Sequence, residues 1–399
     1  MRLQLTRTAV TCGLALTVLT GALPARAEWS GGVDGRSSIY QDTDRTTIWT
    51  TIVGAHVSPK DVITFNGHYL ADIITSASID VLSSATTRAQ CLTPSPSTPI
   101  DQCKQQPFHE TRHEGAGSFV YADGSNTATL GYVYSKENDW RSHSFSASYA
   151  RDLLNKQLTL GIGGSFTTND VWRSHDESFR RSLNQGSVSL NAGIVGSKRD
   201  FISLDYTLMY LRGYQASPYR SVAYGCPAPH TRDDWFSCGL VDAMGQHPPE
   251  TVPDQRIRHA VAVRWNRHVF QDTVFKTHLR GYVDSWGVLS ATAGTEYVVG
   301  FGDLELGVFV RGYAQKGATF WQDIYDQKRK YMTADRELSP FIDGFGGIRF
   351  GYLRDRRLAF FESLHAEVKV TGFAFKFLDF VRLPHREGIV GEIALGASL

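Results

Sequence analysis

The chain has 399 residues and a formal charge of +1, with 41 Lys and Arg against 40 Asp and Glu. This balance lacks the basic excess of a nucleic-acid-binding protein, so no nucleic-acid partner is predicted. After residue 27 there is no run of 18 apolar residues, which excludes transmembrane helices. Gly is abundant at 37 residues, aromatic residues make up 12%, and little helical periodicity is present. This composition favours a barrel of strands.

The first 27 residues are typical of a secretory signal peptide. Arg2 and Arg7 form a positive n-region, residues 9–23 are mostly apolar and uncharged, and Ala-Arg-Ala at 25–27 has small residues at both cleavage positions. The apolar run is too short to anchor the chain in a membrane. The predicted organisation is therefore a cleaved signal peptide at 1–27 and a single domain at 28–399.

The remaining sequence is predicted to form sixteen strands. Apolar residues alternate with small or polar ones, as in predicted strand nine, where Ile202, Leu204 and Tyr206 alternate with Ser203 and Asp205. The predicted strands cover residues 29–41, 46–57, 62–81, 112–122, 127–135, 141–150, 157–168, 186–196, 201–214, 256–269, 273–286, 292–300, 304–313, 338–353, 358–375 and 388–399. Boundary errors of about two to four residues leave fourteen to eighteen strands open.

The lengths of the connections alternate along these strands. Long connections at 83–111, 170–183, 215–254 and 315–337 all follow odd-numbered strands, and compact turns follow even-numbered ones. Short periplasmic turns and long extracellular loops are typical of outer-membrane barrels. The predicted fold class is therefore all-β: a transmembrane antiparallel up-and-down β-barrel of about 16 strands, closed by its last strand. Its predicted location is the bacterial outer membrane, with outer-membrane lipid and the barrel-insertion machinery as partners.

The same alternation predicts which side chains face lipid and which face the lumen. Trp49, Trp140, Tyr149, Trp265 and Tyr352 lie near strand ends and are expected in the interfacial aromatic girdles. A charge on the lipid face would cost roughly 2–4 kcal/mol near the midplane, so charges are assigned to the other face. The predicted lumen-lining residues are Asp72, Arg112, Glu114, Asp205, Arg258, Arg264, Lys276, Arg280, Asp284, Glu305, Arg311, Asp343, Arg349, Glu367, Lys369 and Glu392. Their mixed signs favour bracing of the wall over a selectivity filter, which would show clusters of one sign.

Four cysteines remain after cleavage, in two pairs of equal spacing. Cys91 and Cys103 lie in one of the two largest predicted outer loops, and Cys226 and Cys238 lie in the other. In an exported chain this predicts one disulfide within each loop, contributing on the order of 3 kcal/mol against the open loop. A metal site formed with two neighbouring histidines is the alternative. Its spacing matches no compact zinc pattern, so no metal is predicted.

No catalytic residue and no cofactor is predicted. Some barrels hydrolyse lipids with Ser and His on one face of a strand, which requires a spacing of two residues. In Ser142-His143-Ser144 both serines lie on the face opposite the histidine. Asp42 and Asp44 in the first outer turn could hold Ca²⁺ or a catalytic water, although paired Asp residues are common in ordinary turns.

Three stretches carry a resemblance to a known family: Glu137-Asn138-Asp139-Trp140-Arg141-Ser142, Tyr282-Val283-Asp284-Ser285-Trp286-Gly287-Val288 and Leu338-Ser339-Pro340-Phe341. In them the chain resembles exported bacterial β-barrel proteins that are catalogued only as a domain of unknown function. The likeness covers most of the mature chain, and its motifs belong to strands and loops. It implies a Gram-negative outer-membrane protein. Genes for a flavin-attaching transferase and a small lipoprotein often lie near those of the family, which implies a link to extracytoplasmic redox work and a periplasmic or lipoprotein partner.

Three functions follow as hypotheses. The first is a porin-like passage for small polar solutes, since about sixteen strands can enclose a water-filled lumen. The second is a closed structural or scaffold barrel that docks a periplasmic redox partner, which a lumen plugged by side chains or by residues 215–254 would favour. The third is an outer-membrane hydrolase. The predicted function is passage, without enzymatic activity.

Overall fold

The computed structural model describes residues 29–60, 62–76, 108–173, 176–225, 228–231, 234, 247–355 and 361–399. The predicted signal peptide at 1–27 lies outside these ranges. In chain order the strands are β1 (Ser30–Asp42), β2 (Thr46–Lys60), β3 (Ile63–Ser76), β4 (Phe108–Ala122), β5 (Asn126–Lys136), β6 (Trp140–Leu153), β7 (Leu158–Arg173), β8 (Asp176–Ser197), β9 (Asp200–Gly213), β10 (Ala223–Tyr224), β11 (Gln255–Phe270), β12 (Thr273–Asp284), β13 (Leu289–Phe301), β14 (Leu304–Lys316), β15 (Ile324–Tyr325), β16 (Phe341–Arg354), β17 (Ser363–Phe377) and β18 (His385–Ser398). One 3-10 turn covers Arg336–Leu338. Within the described ranges no helix has the length and apolar character to cross a membrane.

Sixteen of these strands form one closed antiparallel barrel. Each strand pairs with its neighbour in the chain, apart from the short β10 and β15, which pair only with each other in the loops. The ring closes where β1 meets β18, with a register from Gly32↔Ser398 to Asp42↔Gly388. Closure leaves no strand edge unpaired. The predicted sixteen-strand barrel and its closure by the terminal strand are therefore confirmed.

The connections separate the two ends of the barrel. We call the end with the long connections at 77–107, 214–254 and 317–340 the loop end, and the opposite end the turn end. At the turn end β8 and β9 are joined by two residues, 198–199, and β13 and β14 by 302–303. One turn-end connection, 355–362, is longer than the compact turn that the sequence predicts at 354–357.

The predicted loop at 170–183 is wrong, because this segment is a strand hairpin. β7 continues to Arg173 and β8 starts at Asp176, with a regular register as far as Trp172↔Arg180 and a last pair, Arg173↔Asp176, beyond a register shift. Inside the hairpin the inward side chains of Val171 and Leu183 are buried. Beyond the lipid the outward face of a strand meets water, so the apolar outer face that marks a strand disappears although the backbone ladder continues.

A band of large apolar side chains covers the outer face of the barrel. Leu130 is 59% exposed, Phe145 58% and Ile393 55%, and cross-strand register aligns such residues in rows around the ring. A soluble surface rarely shows so much contiguous apolar area. Lipid is the covering that matches this surface, because a closed barrel satisfies all strand hydrogen bonds internally.

Four of the five expected girdle aromatics point outward near strand ends, and Trp140 does not. In β6 the outward positions are odd-numbered, so Trp140 faces inward, and its indole N–H donates to Asn169 Oδ1 at 3.2 Å. A strand-end position therefore does not define a girdle residue without the correct parity. The four outward residues are Trp49, Tyr149, Trp265 and Tyr352.

Three of the outward-pointing histidines have a tyrosine on an adjacent strand as hydrogen-bond partner. Because lipid offers no such partner, a cross-strand hydroxyl lowers the cost of placing an imidazole there. The pairs and their O···N distances are Tyr69–His113 at 2.6 Å, Tyr132–His143 at 2.8 Å and Tyr206–His259 at 2.9 Å.

Gly347 of β16 lies where the wall has no room for a side chain. A β-carbon there would lie 2.2 Å from the Val370 carbonyl oxygen and 2.7 Å from Phe309 Cζ. We expect Gly347→Ala to destabilise the barrel by about 1–3 kcal/mol, because backbone must move to admit the methyl group. Gly344→Ala on the same strand is the control, since its β-carbon meets nothing within 4 Å. Equal urea midpoints for the two variants in lipid vesicles, followed by tryptophan fluorescence, would contradict this account.

Candidate functional site in the barrel lumen

All sixteen predicted lumen-lining charges lie on the strand faces opposite the apolar outer band. They divide into three sectors of the wall. The braced sector contains Lys276, Glu305, Arg311, Asp343, Arg349, Glu367, Lys369 and Glu392. The arginine sector contains Asp205, Arg258, Arg264, Arg280 and Asp284. The acidic sector contains Asp72, Arg112 and Glu114.

The braced sector is centred on Arg349. Its guanidinium lies 3.0 Å from Glu296, 3.4 Å from Glu305 and 3.1 Å from Glu367, so one cation joins carboxylates from three other strands. Glu296 also accepts from Lys276 at 3.2 Å. Ion pairs of this kind hold cross-strand neighbours in place, as the bracing interpretation predicts for this part of the wall.

Two further pairs extend the braced sector towards the barrel seam. Lys369 of β17 contacts Glu392 of β18 at 3.1 Å, and Arg311 of β14 contacts Asp343 of β16 at 2.9 Å. Glu392, the one charge that the sequence analysis placed inside on the terminal strand, is therefore held by its neighbouring strand.

The acidic sector lies on β3 and β4. Arg112 contacts Glu114 on its own strand, approaches Glu137 at 3.8 Å, and donates to Ser135 Oγ at 3.1 Å. Asp72 has one buried carboxylate oxygen with no hydrogen-bond partner within the described residues. One arginine thus serves several carboxylates, and the sector keeps an excess of negative charge.

Three carboxylates extend the acidic sector at the loop end. Oxygens of Glu110, Glu137 and Asp139 all lie within 4.8 Å of one another. Burial raises the pKa of Glu137, with the carboxylates of Asp139 and Asp72 adding to the effect against Arg112. Oxygen donors this close are the type that Ca²⁺ or Mg²⁺ prefers. The sequence analysis missed Glu110 because its predicted strand began at residue 112, whereas β4 begins at Phe108.

The acidic sector lies across the lumen from β12, which carries Arg280 of the arginine sector, and from two strands of the braced sector. In the ring of sixteen, β3 is eight places from β12, β4 from β13, and β5 from β14, so these strands are diametrically opposed. Asp72 is four residues from the loop end of β3, and Arg280 is four residues from the loop end of β12. Charges of opposite sign therefore face each other across the loop-end half of the lumen.

The arginine sector holds two tight ion pairs. Arg256 Nε donates to Asp284 Oδ2 at 2.8 Å, and its guanidinium lies 4.2 Å from the centre of the Trp286 ring. Arg264 donates to Asp205 at 2.8 Å. The sequence analysis missed Arg256, as it missed Glu296, although both share the parity of the inward residues on their strands.

Phenylalanines also line part of the lumen, which the sequence analysis did not predict. They lie on inward positions of β16 and β17, and Phe373 stacks on Tyr40 of β1 with ring centres 5.2 Å apart. At this end of β17 the outward positions hold Gly372, Ala374 and Lys376, which are less apolar than the inward phenylalanines, so hydrophobicity alone would assign the phenylalanines to the lipid face. The spacing of two residues between these phenylalanines does place all of them on one face of the strand. The inward phenylalanines are Phe341, Phe345, Phe373, Phe375 and Phe377.

Long connections fold together over the loop end, and we call their described residues 214–225, 228–231, 247–254, 317–340 and 378–384 the cap. One apolar cluster lies within the cap: Val222, Ala223, Ile324, Tyr325, Met332 and Ala334. A second joins the cap to the wall: Trp286, Val288, Ala318, Trp321, Leu338, Phe341, Phe377 and Phe380. Because Phe341 and Phe377 face the lumen, the cap packs against the inside of the barrel mouth. Burial raises the pKa of Tyr325 in the first cluster to about 12.

One buried ion pair joins two segments of the cap, and another fixes the cap to the rim. Asp323 lies 2.7 Å from Arg382, and these side chains are only 4% and 1% exposed. Burial raises the pKa of Asp323, and the guanidinium of Arg382 opposes that rise. Arg336 reaches Asp44 in the β1–β2 connection at 3.0 Å. Asp42 instead accepts from Thr46 N at 2.9 Å, so the two aspartates of this turn have separate structural partners.

The four cysteines predicted to form disulfides, Cys91, Cys103, Cys226 and Cys238, all lie outside the described residues. The predicted pairings therefore stay predictions, and so does their role in shaping the outer loops.

The serine and histidine positions show no dyad within the described residues. His143 points outward, whereas Ser142 and Ser144 face the lumen, as the sequence predicts. His56 and Ser58 of β2, which the sequence analysis passed over, have the required spacing and both face inward. The Ser58 hydroxyl forms a hydrogen bond with Thr64 Oγ1 at 2.8 Å, and no hydrogen bond joins Ser58 to His56.

Removing the carboxylate of Asp323 tests how the cap is held. We expect Asp323→Asn to loosen the cap by about 3–5 kcal/mol, because the buried Arg382 guanidinium loses its carboxylate. Hydrogen–deuterium exchange of residues 317–340 should accelerate by at least about tenfold. Asp326→Asn, at an exposed ion pair with Arg329, is the control and should leave exchange unchanged. Equal exchange in both variants would show that the apolar clusters alone hold the cap.

Several solved structures are similar to this chain. Outer membrane protein OccK1 (OpdK) from Pseudomonas aeruginosa has a TM-score of 0.44 and 7% identity, with 93% of this chain and 98% of that chain covered. The siderophore receptor PirA from Acinetobacter baumannii has a TM-score of 0.43 and 11% identity, with 89% and 54% covered. PirA from Pseudomonas aeruginosa has a TM-score of 0.40 and 8% identity, with 94% and 80% covered. This chain thus spans about half of the Acinetobacter receptor.

A comparison with curated protein sequences gives no match. A family model matches residues 9–196 and 184–360, which together cover most of the chain. The resemblance to a family of outer-membrane barrels is confirmed in this form: the chain belongs to the family described as protein of unknown function (DUF3570).

Proposed function

We propose that this protein is an outer-membrane channel for small polar solutes. The observation that carries the proposal is that the acidic sector on β3 and Arg280 of the arginine sector on β12 oppose each other across one lumen. If the two sectors served only to brace the wall, each would pair within itself, as the carboxylates around Arg349 do. The loop end would face outward and the turn end the periplasm, as in other outer-membrane barrels.

Opposed charges have a direct effect on a polar solute. A field across the lumen aligns dipolar molecules and compensates part of the hydration that they lose on entry, whereas apolar molecules gain nothing. The carboxylates of Asp72 and Glu114 on one side and the guanidinium of Arg280 on the other supply this field. The lumen would therefore favour small polar solutes over apolar ones of the same size.

Conductance is the direct test of passage. We expect folded protein in planar lipid bilayers to give stable single-channel currents in KCl, because a polar lumen admits hydrated ions. Folding is verified beforehand by the shift in gel mobility between heated and unheated samples. The absence of stable current from verified folded protein would overturn the channel proposal.

Neutralising the acidic sector should change ion selectivity. We expect Asp72→Asn with Glu114→Gln to lower the cation-to-anion permeability ratio by roughly twofold or more, since fixed carboxylates attract cations. The reversal potential in a KCl gradient measures this ratio. Asp272→Asn with Asp303→Asn, in turns at the turn end, removes the same charge outside the lumen and is the control. An equal change in both double variants would mean that the acidic sector does not set selectivity.

The cap supports a second candidate, a closed structural or scaffold barrel. Its second apolar cluster includes lumen-facing residues of the mouth, and the ion pair of Arg336 with Asp44 holds it to the rim. In such a protein the turn end would be the surface for a periplasmic or lipoprotein partner. The two candidates differ in one measurement: a scaffold gives no current until the cap is loosened, for example by Asp323→Asn, whereas a channel conducts with the cap intact.

A further inference from the structure

The lumen wall has a depression between β9, β11 and β12, with a volume of about 280 Å³. Its floor is formed by Ala260 and Ala262, which are the small residues of an otherwise long-chained inner face on β11. Arg258 lies at its loop-end side, and Arg264 and Arg280 lie at the other. We call this depression the arginine pocket.

The carboxylate nearest to Arg258 is fully engaged elsewhere. Asp284 Oδ2 accepts from Arg256 Nε at 2.8 Å and from the Tyr282 hydroxyl at 2.7 Å. Asp284 Oδ1 accepts from the backbone N–H groups of Trp286 at 2.9 Å and Val288 at 3.1 Å. With both oxygens used, Asp284 has no capacity left for a second arginine.

Two arginines of the pocket therefore lack an anionic partner. Within the described residues no hydrogen bond or ion pair reaches Arg258, and its Nε is buried. Arg280 lies 5.6 Å from the centre of the Tyr282 ring and likewise has no carboxylate partner there. Arg264 is held by Asp205. Arg258 is partly buried, so its unpaired donors are costly unless an anion binds them, whereas the exposed Arg280 presents its donors to the lumen.

We propose that the arginine pocket binds a small carboxylate-bearing solute, with Arg258 and Arg280 as the binding residues. This inference rests on the proposed function in one respect: it names the class of solute that the proposed channel would select. A guanidinium presents paired N–H donors that match the two oxygens of a carboxylate, so each arginine can take one carboxylate in a bidentate bond.

The register of the strands favours a dicarboxylate. Arg258 pairs with Asp284, and Arg280 lies four residues further along β12, which separates the two backbones by roughly 13 Å along the strands. Two bidentate bonds, with N···O distances of about 2.8 Å, take up most of this span at its two ends and leave the middle to a chain of about four carbons. Succinate has two carboxylates at such a spacing and is the probe of choice.

Equilibrium binding tests the pocket separately from conduction. We expect calorimetry with folded protein in detergent to show succinate binding, and Arg258→Gln with Arg280→Gln to weaken it by about tenfold or more, because charge-assisted bonds are lost. Ala262→Leu, which fills the floor without changing charge, should also weaken binding. Succinamide, the uncharged analogue, should not bind.

The control removes two positive charges outside the lumen. Lys198→Gln with Arg267→Gln changes the turn after β8 and an outward position of β11, and it should bind succinate like the unaltered protein. Equal weakening in this control, or full binding by the Arg258 and Arg280 double variant, would overturn the proposal, as would the absence of succinate binding by the unaltered protein. Binding without any channel current would keep the arginine pocket and overturn passage. Channel current without succinate binding would keep the channel proposal and overturn the arginine pocket.

Discussion

Closure of the sheet is the constraint on which the rest of this structure depends. Once β18 pairs with β1, each strand has one face towards lipid and one towards the lumen, and no backbone group at the seam lacks a partner. A charge must then lie inside or cost several kcal/mol in lipid. The inner wall is therefore where the chain can place its charged residues, and their arrangement there is free to serve structure or function. Glu392 shows the consequence, since the single charged position facing inward in the middle of β18 is held by Lys369 of the neighbouring strand.

The charges of the lumen wall are paired in one sector and left unbalanced in the others. Around Arg349 the charges neutralise one another in a compact cross-strand cluster, which stabilises the wall and leaves little field in the lumen. On β3 and β4 carboxylates outnumber their arginine, and on β11 and β12 two arginines have no carboxylate. Unbalanced charge in a partly buried wall costs free energy, so a structure that served stability alone would pair it. The sectors that are unbalanced face each other across the ring, where together they act on whatever lies between them.

Much of the barrel could be predicted from the sequence, because parity and connection length both depend on local residues. All sixteen strands and the inward direction of all sixteen assigned charges follow from a period of two. The β7–β8 hairpin could not be predicted in this way, since strands above the lipid lose their apolar face, and Trp140 shows that position without parity misassigns a side chain. The cap could not be predicted because it depends on contacts between distant segments, such as Asp323 with Arg382 and Arg336 with Asp44. The parity rule could also have identified Glu296, Arg256 and the inward phenylalanines as lumen-facing residues.

The cap and the arginine pocket are connected through one short segment. Trp286 and Val288 in the β12–β13 connection pack in the apolar cluster that holds the cap to the barrel mouth. The backbone N–H groups of the same two residues occupy Asp284 Oδ1, and the Trp286 ring lies against the Arg256 guanidinium that occupies Oδ2. Packing of the cap thus holds Trp286 and Val288 in place, and these residues occupy hydrogen-bonding positions of Asp284. Because both oxygens of Asp284 are occupied, Arg258 has no carboxylate partner among the described residues. The packing of the cap and the lack of a carboxylate partner for Arg258 therefore depend on the same two residues, Trp286 and Val288.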